Sequence, residues 1–269
     1  MARTVSHIRQ AKATDALIAR QEFSRPSVFR PTFSVREIGA VAAAVLVMAV
    51  IFLPSVQKAR QQASVARCAS QQAGIGSAFL RYANDNGGSL PSATAGQARW
   101  LNPGQGAVSN SSGLFKLVNL NYVAPGAFQC PAVSNGSPAA FSVQAGMSDF
   151  PANKYISYSY QHTLGHGLSI NDPGLAGVSK EMAILADSNP LFSRGNFQPS
   201  RLRSPESDNH GRSGQNVLYL DAHVNWSDKP TAGVAGNNIY LAEGVYDYRG
   251  DETPVNNRDS FLLPAYSGR

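Results

Sequence analysis

The sequence predicts an α+β protein: one long N-terminal α-helix, first membrane-spanning and then amphipathic, packed on an antiparallel β-sheet. Three observations predict it. Residues 38–53, IGAVAAAVLVMAVIFL, are sixteen positions without a polar side chain. Helical spacing of small and apolar residues continues beyond them to about residue 84. Short apolar runs then follow, separated by Gly, Asn, Ser and Pro. Helix first and strands afterwards is the order of an α+β chain rather than an alternating α/β one.

Residues 1–32 carry scattered Arg, Pro and Ser without sustained apolar periodicity and read as a basic cytoplasmic leader. The first 36 residues hold seven Arg and Lys against two acidic residues, although the whole chain has a net charge of only +6. A nucleic-acid-binding domain spreads its basic charge over a folded surface. Here the charge stands directly before an apolar run. That is the arrangement of a membrane anchor with its N-terminus in the cytoplasm, and no nucleic-acid partner is expected.

The span itself is residues 33–54. About 21 helical residues reach roughly 31 Å at ~1.5 Å each, close to the thickness of a bilayer core. A secretory signal or a buried core helix has similar composition. Pro54, however, is followed by a further helical stretch rather than by a small-residue cleavage site. The expected location is therefore the inner (cytoplasmic) membrane, crossed once, with the C-terminal part extracytoplasmic.

Residues 55–91 read as the exported, amphipathic half of the same helix. Val56, Ala59, Ala63, Ala66, Ala73, Gly76 and Phe79 or Leu80 recur at three- and four-residue steps. Asn, Asp, Gly and Pro cluster at YANDNGGSLP, 82–91, and predict the stop. Residues 92–269 read as a β-rich extracytoplasmic domain. FKLVNLNYV (115–123) suggests a short helix and turn. KYISYSYQHTL (154–164), MAILAD (182–187), NIYLAEGVYDY (238–248) and SFLLPAY (260–266) suggest strands, and NVLYLDAHVNW (216–226) a hairpin bending at Asp221-Ala222. Charged residues are 15% of the chain, against roughly 25% in typical soluble domains. Gly and Pro, at 24 and 16 residues, suit turn-rich exported structure.

The chemistry-bearing residues are few. Cys68 and Cys130 are too far apart for a metal motif of the short-spaced kind. They are either a disulfide, worth about 4 kcal/mol for a ~60-residue loop, or two buried free thiols. Asp187, His210, Asp221 and His223 would gather if their strands pair, and Asp with His could hold Ca²⁺ or a transition metal. Asp at turns and His at strand ends also occur without any metal. His162 and His166 lie four apart in HTLGHG, but Gly165 and a strand context do not suit a zinc-binding helix. Neither Gly-x-Ser-x-Gly nor a P-loop occurs. The expectation is a protein that is not an enzyme and needs no cofactor. An exported hydrolase built on His210 and Asp221 is the least favoured reading.

PTFSVREIGAVAAAVLVMAVIFLP, 31–54, resembles the N-terminal segment of type IV pilins and type II secretion pseudopilins. That family opens the mature chain on a Phe, places a Glu four residues later and a Pro twenty-one residues after the Phe. Phe33, Glu37 and Pro54 stand in that register. The continuation ARCASQQAGIGSAFLRYANDNGGSLP (66–91), the Cys-Pro element FQCPA (128–132), LADSNP (185–190) and NHGRSGQNVLYLDAHVNW (209–226) are similar to large prepilin-like families of planctomycete-type bacteria. Their C-terminal processing-associated motif is His-x9-Asp-Gly. Two departures stand out: Thr32 replaces the family's Gly before the Phe, and ten residues separate His210 from Asp221, with Ala222 in place of Gly.

The resemblance implies a pilin-like fold and a structural pseudopilin subunit of a type II secretion or type IV pilus-like assembly. It implies other pilin-like subunits and a prepilin peptidase as partners, with cleavage between Thr32 and Phe33. It also implies that Glu37 pairs with the new Phe33 amine of a neighbouring subunit; an interfacial Glu37 paired with Arg36 is the simpler alternative. A non-assembling, membrane-tethered module that binds a polysaccharide or protein partner through Tyr and Trp near 155–160 and 226 is the second reading.

Overall fold

The computed structural model describes residues 35–93, 100–101, 109–134, 136–163, 167–193 and 196–264. The leader 1–32, the Thr32/Phe33 junction and His166 lie outside the described residues, as does the side chain of Glu37.

Helix α1, Val35–Asp85, runs 51 residues and carries Pro54 inside it. The chain divides into two units at Ser55/Val56, one residue beyond that proline. In the first unit the apolar side chains are exposed all round the helix, with Leu46, Val50 and Phe52 at 67%, 73% and 61%. A helix apolar on every side has no stable place in water on its own. This one is long and apolar enough to cross a membrane, a property it shares with signal sequences. Pro54 removes the donor that would close one helical hydrogen bond. Beside it, the Ser55 hydroxyl donates to the Phe52 carbonyl at 2.8 Å.

The second unit begins at Val56. Its helical part buries Cys68, Gln72, Ile75, Ala78, Phe79, Tyr82 and Ala83, spaced as one stripe of a 3.6-residue helix. The predicted stripe was wrong in its first half. Val56, Ala59, Ala63 and Ala66 are exposed, Ala73 is half-buried, and only Gly76 and Phe79 of that series are fully buried. The sheet lies beneath the later turns alone and selects residues with volume to fill the core. α1 ends as the sequence predicts: the Gly88 amide donates back to the Ala83 carbonyl at 2.7 Å, with Gly87 and Gly88 at φ 63° and 90°, a left-handed stop that glycine makes at little cost.

Five strands form the main sheet: β1 (Tyr158–Gln161), β2 (Ala183–Asp187), β5 (Gln215–Tyr219), β6 (Val224–Ser227) and β7 (Leu262–Pro264). Their order is β6-β5-β2-β1-β7, and every pairing is antiparallel. The short strands β3 (Phe192–Ser193) and β4 (Asn196–Phe197) pair separately. Every residue of β1, β2 and β5 is buried, so both faces of the sheet are covered. Tyr158, Tyr160, Ile184, Leu218 and Leu220 pack with the stripe of α1, where the Phe79 and Tyr160 rings stack at 5.4 Å. Val217, Tyr219 and Ala186 pack on the other side against Ile239, Tyr240, Tyr248 and Phe261. Helix α2, Ser111–Asn119, starts four residues before the predicted position and buries Leu114, Phe115, Leu117 and Val118.

Residues 238–248 are not the strand the sequence suggests. Asn238 caps a turn by accepting the Tyr240 amide at 3.0 Å, Gly244 has φ 75°, and Tyr248 takes the Ala242 amide through its hydroxyl at 2.8 Å. These side chains roof the sheet rather than extend it. The hairpin over Asp221-Ala222 is present, and Ala222 sits at φ 69°, the conformation for which glycine is the usual residue. Its Cβ also lies near the helix: a Cβ added at Gly76 would come within 3.1 Å of it and 2.8 Å of Leu218 Cδ1.

Two outcomes follow from this contact. Ala222→Gly should stabilise the protein by about 0.5–1 kcal/mol by relieving the left-handed strain. Gly76→Leu should destabilise it by about 1–3 kcal/mol through overpacking. Thermal melting of the detergent-solubilised chain measures both, and equal melting temperatures for the three proteins would contradict the close packing.

Candidate functional site

Four buried side chains converge where the stripe of α1 meets the sheet: Cys68, Cys130, Asp187 and His210. Each comes from a different segment. Cys68 projects from α1 on the same face as Gln72, four residues on. Asp187 ends β2, opposite Tyr158 of β1. Cys130 follows a 3-10 turn at Pro125–Phe128; its amide donates to the Ser157 hydroxyl, and the Ser157 amide donates to the Phe128 carbonyl at 2.9 Å. His210 closes the 3-10 turn Asp208–His210, which Ser207 caps and Gly211 ends at φ 64°. The edge of Trp226 rests on the His210 ring at 5.4 Å between centroids.

One ligand-type atom from each of the four lies within 4.8 Å of all the others. Cys68 Sγ donates to Asp187 Oδ1 at 3.1 Å. His210 Nε2 is 3.2 Å from Asp187 Oδ2 and 3.6 Å from Cys130 Sγ. The carboxylate accepts two further hydrogen bonds, from Asn209 Nδ2 at 2.8 Å and from the Asn216 amide at 2.7 Å. Around Cys68 stand the Tyr158 hydroxyl at 3.3 Å and Gln72 Nε2 at 3.9 Å. His210 Nδ1, Gln72 Oε1 and Asn216 Oδ1 are buried and, among the described residues, have no hydrogen-bond partner.

The electrostatics separate the two thiols. Burial pushes Cys68 far up, with the hydrogen bond to Cys130 and the charge of Asp187 adding to it. Cys130 moves down to about 6, because its hydrogen bond with Cys68 and then that with His210 favour the thiolate over the opposing effect of burial. Burial alone would lower His210; hydrogen bonds to Asp187 and Cys130 outweigh it and raise the imidazole to about 9. These shifts favour protons on Cys68 and His210 and negative charge on Cys130.

The structure unites Asp187 and His210, as their expected gathering required, but Asp221 and His223 do not join them. Asp221 lies five residues beyond Asn216 along the β5 hairpin, roughly 16 Å at ~3.3 Å per residue. It pairs instead with the ring of His223 at 2.5 Å, on the exposed bend. Their places are taken by Cys68 and Cys130, which are free thiols rather than a disulfide. Spacing along the chain alone does not mark these cysteines as ligands, because 61 residues lie between them. The available signal was the polar pair Cys68 and Gln72 lying in the helical register of Ile75, Phe79 and Tyr82. His162 is buried and stacks on Phe261 at 5.9 Å. Of the aromatic residues expected to form a patch near 155–160 and 226, Tyr158 and Tyr160 are each only 1% exposed, while Tyr155 and Trp226 are half-buried.

No family model matches the chain, and neither does any curated protein or solved structure.

The four clustered residues are the described ones that could hold a metal ion, through two sulfurs, one carboxylate and one imidazole. Even without one, the carboxylate joins four segments. Asp187→Ala should therefore cost about 3–5 kcal/mol, since it leaves a charged imidazole and buried amides without their acceptor. Asp187→Asn, which keeps an acceptor oxygen, should cost less. Urea unfolding followed by tyrosine and tryptophan fluorescence measures both, and an Asp187→Ala loss under 1 kcal/mol would refute the central role of the carboxylate.

Proposed function

We propose that the chain is a membrane-anchored, pilin-like structural subunit, held in the inner membrane by the first half of α1 and presenting residues 56–269 outside the cytoplasm. The observation that carries this reading is the two-part character of one helix. From Ala40 to Leu53 its apolar side chains are exposed on all sides, and from Cys68 to Ala83 it buries a stripe in the sheet domain. A cleaved signal sequence would have no need to continue as the core helix of the folded part. The basic residues before the span support an N-terminus in the cytoplasm.

The register of Phe33, Glu37 and Pro54 supports assembly with other pilin-like subunits, as in a type II secretion or type IV pilus-like machine. Glu37 stands in the first turn of α1, where a helix favours negative charge. A lone carboxylate at the head of an apolar span costs up to ~3 kcal/mol if it sits deep. A neighbour's Phe33 amine would remove that cost, and only cleavage by a prepilin peptidase between Thr32 and Phe33 creates that amine.

Intact-mass measurement on protein from native membranes should give a chain beginning at Phe33. Glu37→Ala should remain membrane-bound and folded while losing cross-links between neighbouring copies. A full-length mass, or cross-linking unchanged by Glu37→Ala, would refute assembly by this route. Labelling of an exposed cysteine engineered at Val133 only from the cytoplasmic side would refute the anchor itself.

A further inference from the structure

We propose that Cys68, Cys130, Asp187 and His210 form a buried zinc site that fastens α1 to the sheet. Zn²⁺ takes four ligands in a tetrahedron, with bonds of about 2.3 Å to sulfur and about 2.0–2.2 Å to nitrogen and oxygen. Bonds of those lengths place neighbouring ligand atoms roughly 3.3–3.8 Å apart at the tetrahedral angle. The residues already stand at 3.1 Å from Cys68 Sγ to Asp187 Oδ1, 3.2 Å from His210 Nε2 to Asp187 Oδ2 and 3.6 Å from Cys130 Sγ to His210 Nε2. All four lie within 4.8 Å of one another. Closing the widest of these separations to the tetrahedral spacing takes up to about 1 Å of side-chain movement.

The donor chemistry selects the ion. Ca²⁺ takes six to eight oxygens, and this cluster offers one carboxylate. Two thiolates with an imidazole suit zinc and its close analogues. The surroundings are those of a metal shell. Asn209 Nδ2 and the Asn216 amide orient the carboxylate at 2.8 and 2.7 Å. Gln72 Nε2 aims a donor at Cys68 Sγ, and the Tyr158 hydroxyl lies 3.3 Å from the same sulfur. Trp226 holds the plane of the imidazole. All four ligand residues are buried, so the site is closed, which is the structural rather than the catalytic form. Binding displaces to solvent the thiol proton of Cys68 and the Nε2 proton of His210, while Cys130 already stands as the thiolate.

This site owes nothing to the membrane reading, and its test is separate. The full-length chain, purified in detergent under reducing conditions, should carry one zinc per molecule by elemental analysis. Co²⁺ exchanged for it should show the thiolate charge-transfer and tetrahedral visible bands. A mercurial titration of the wild-type protein should release that one metal as two thiols react, which needs no variant to fold. Cys130→Ser and His210→Ala should weaken Zn²⁺ binding by more than tenfold, and Asn209→Ala by roughly 10–100-fold, while Asp221→Ala at the hairpin bend should bind as the wild type does. Two results would overturn the proposal. One is a Cys68–Cys130 disulfide that, once reduced, leaves a protein that takes up no zinc. The other is a reduced protein that stays metal-free after incubation with Zn²⁺.

Discussion

The Asp187 carboxylate is the point on which the rest of the second unit hangs. It lies at the end of β2, with no exposed surface, and an ionised carboxyl in such a place is unfavourable by several kcal/mol unless its oxygens are fully engaged. They are engaged by four residues from three parts of the chain: Cys68 from the helix, Asn209 and His210 from the turn before β5, and the Asn216 amide from β5 itself. The aspartate's own carbonyl takes the Tyr240 hydroxyl at 2.8 Å, from the layer on the opposite face of the sheet. Hydrophobic burial draws helix, sheet and roof together, but it is indifferent to register. A buried charge with directional partners is not, and it sets which turn of α1 lies over which residue of the sheet.

Much of the architecture was legible because it depends on local chemistry. The apolar run, the helix extending to Asp85 and its glycine stop, β1, β2, the Asp221-Ala222 bend and β7 all follow from periodicity and turn residues. The helix face was misjudged because small residues such as Ala59 and Ala63 imitate a stripe, whereas burial depended on where the sheet ends. Residues 238–248 were misjudged because their aromatic content reads as strand, while the backbone is claimed by Asn238 and Tyr248 side chains. Half of the candidate site was equally legible: Asp187 and His210 were singled out together. The cysteines were not joined to them, since the 119 residues between Cys68 and Asp187 are closed only by tertiary packing.

α1 has to satisfy two environments with one backbone. Up to Ser55 its side chains are chosen for being apolar on every side, and beyond Cys68 for fitting one seam. The turns between, residues 56–63, are exposed and mix Lys58, Arg60 and Gln61 with alanine. Pro54 sits where the helix passes from apolar on every side to polar and small, and the missing amide donor there stands beside the Ser55 hydroxyl, which donates to the Phe52 carbonyl.

The order of the strands carries a consequence for how copies of this chain could meet. The outer members of the sheet are β6 and β7. β6 is four residues long and half exposed, carries Asn225, and runs into Asp228, Lys229 and Pro230. β7 is three residues long and closes on Pro264, which has no amide hydrogen to offer. Short, polar and proline-bearing margins are how β-proteins discourage strangers from adding a strand. Neither margin of the sheet therefore offers a long, flat row of free backbone donors and acceptors.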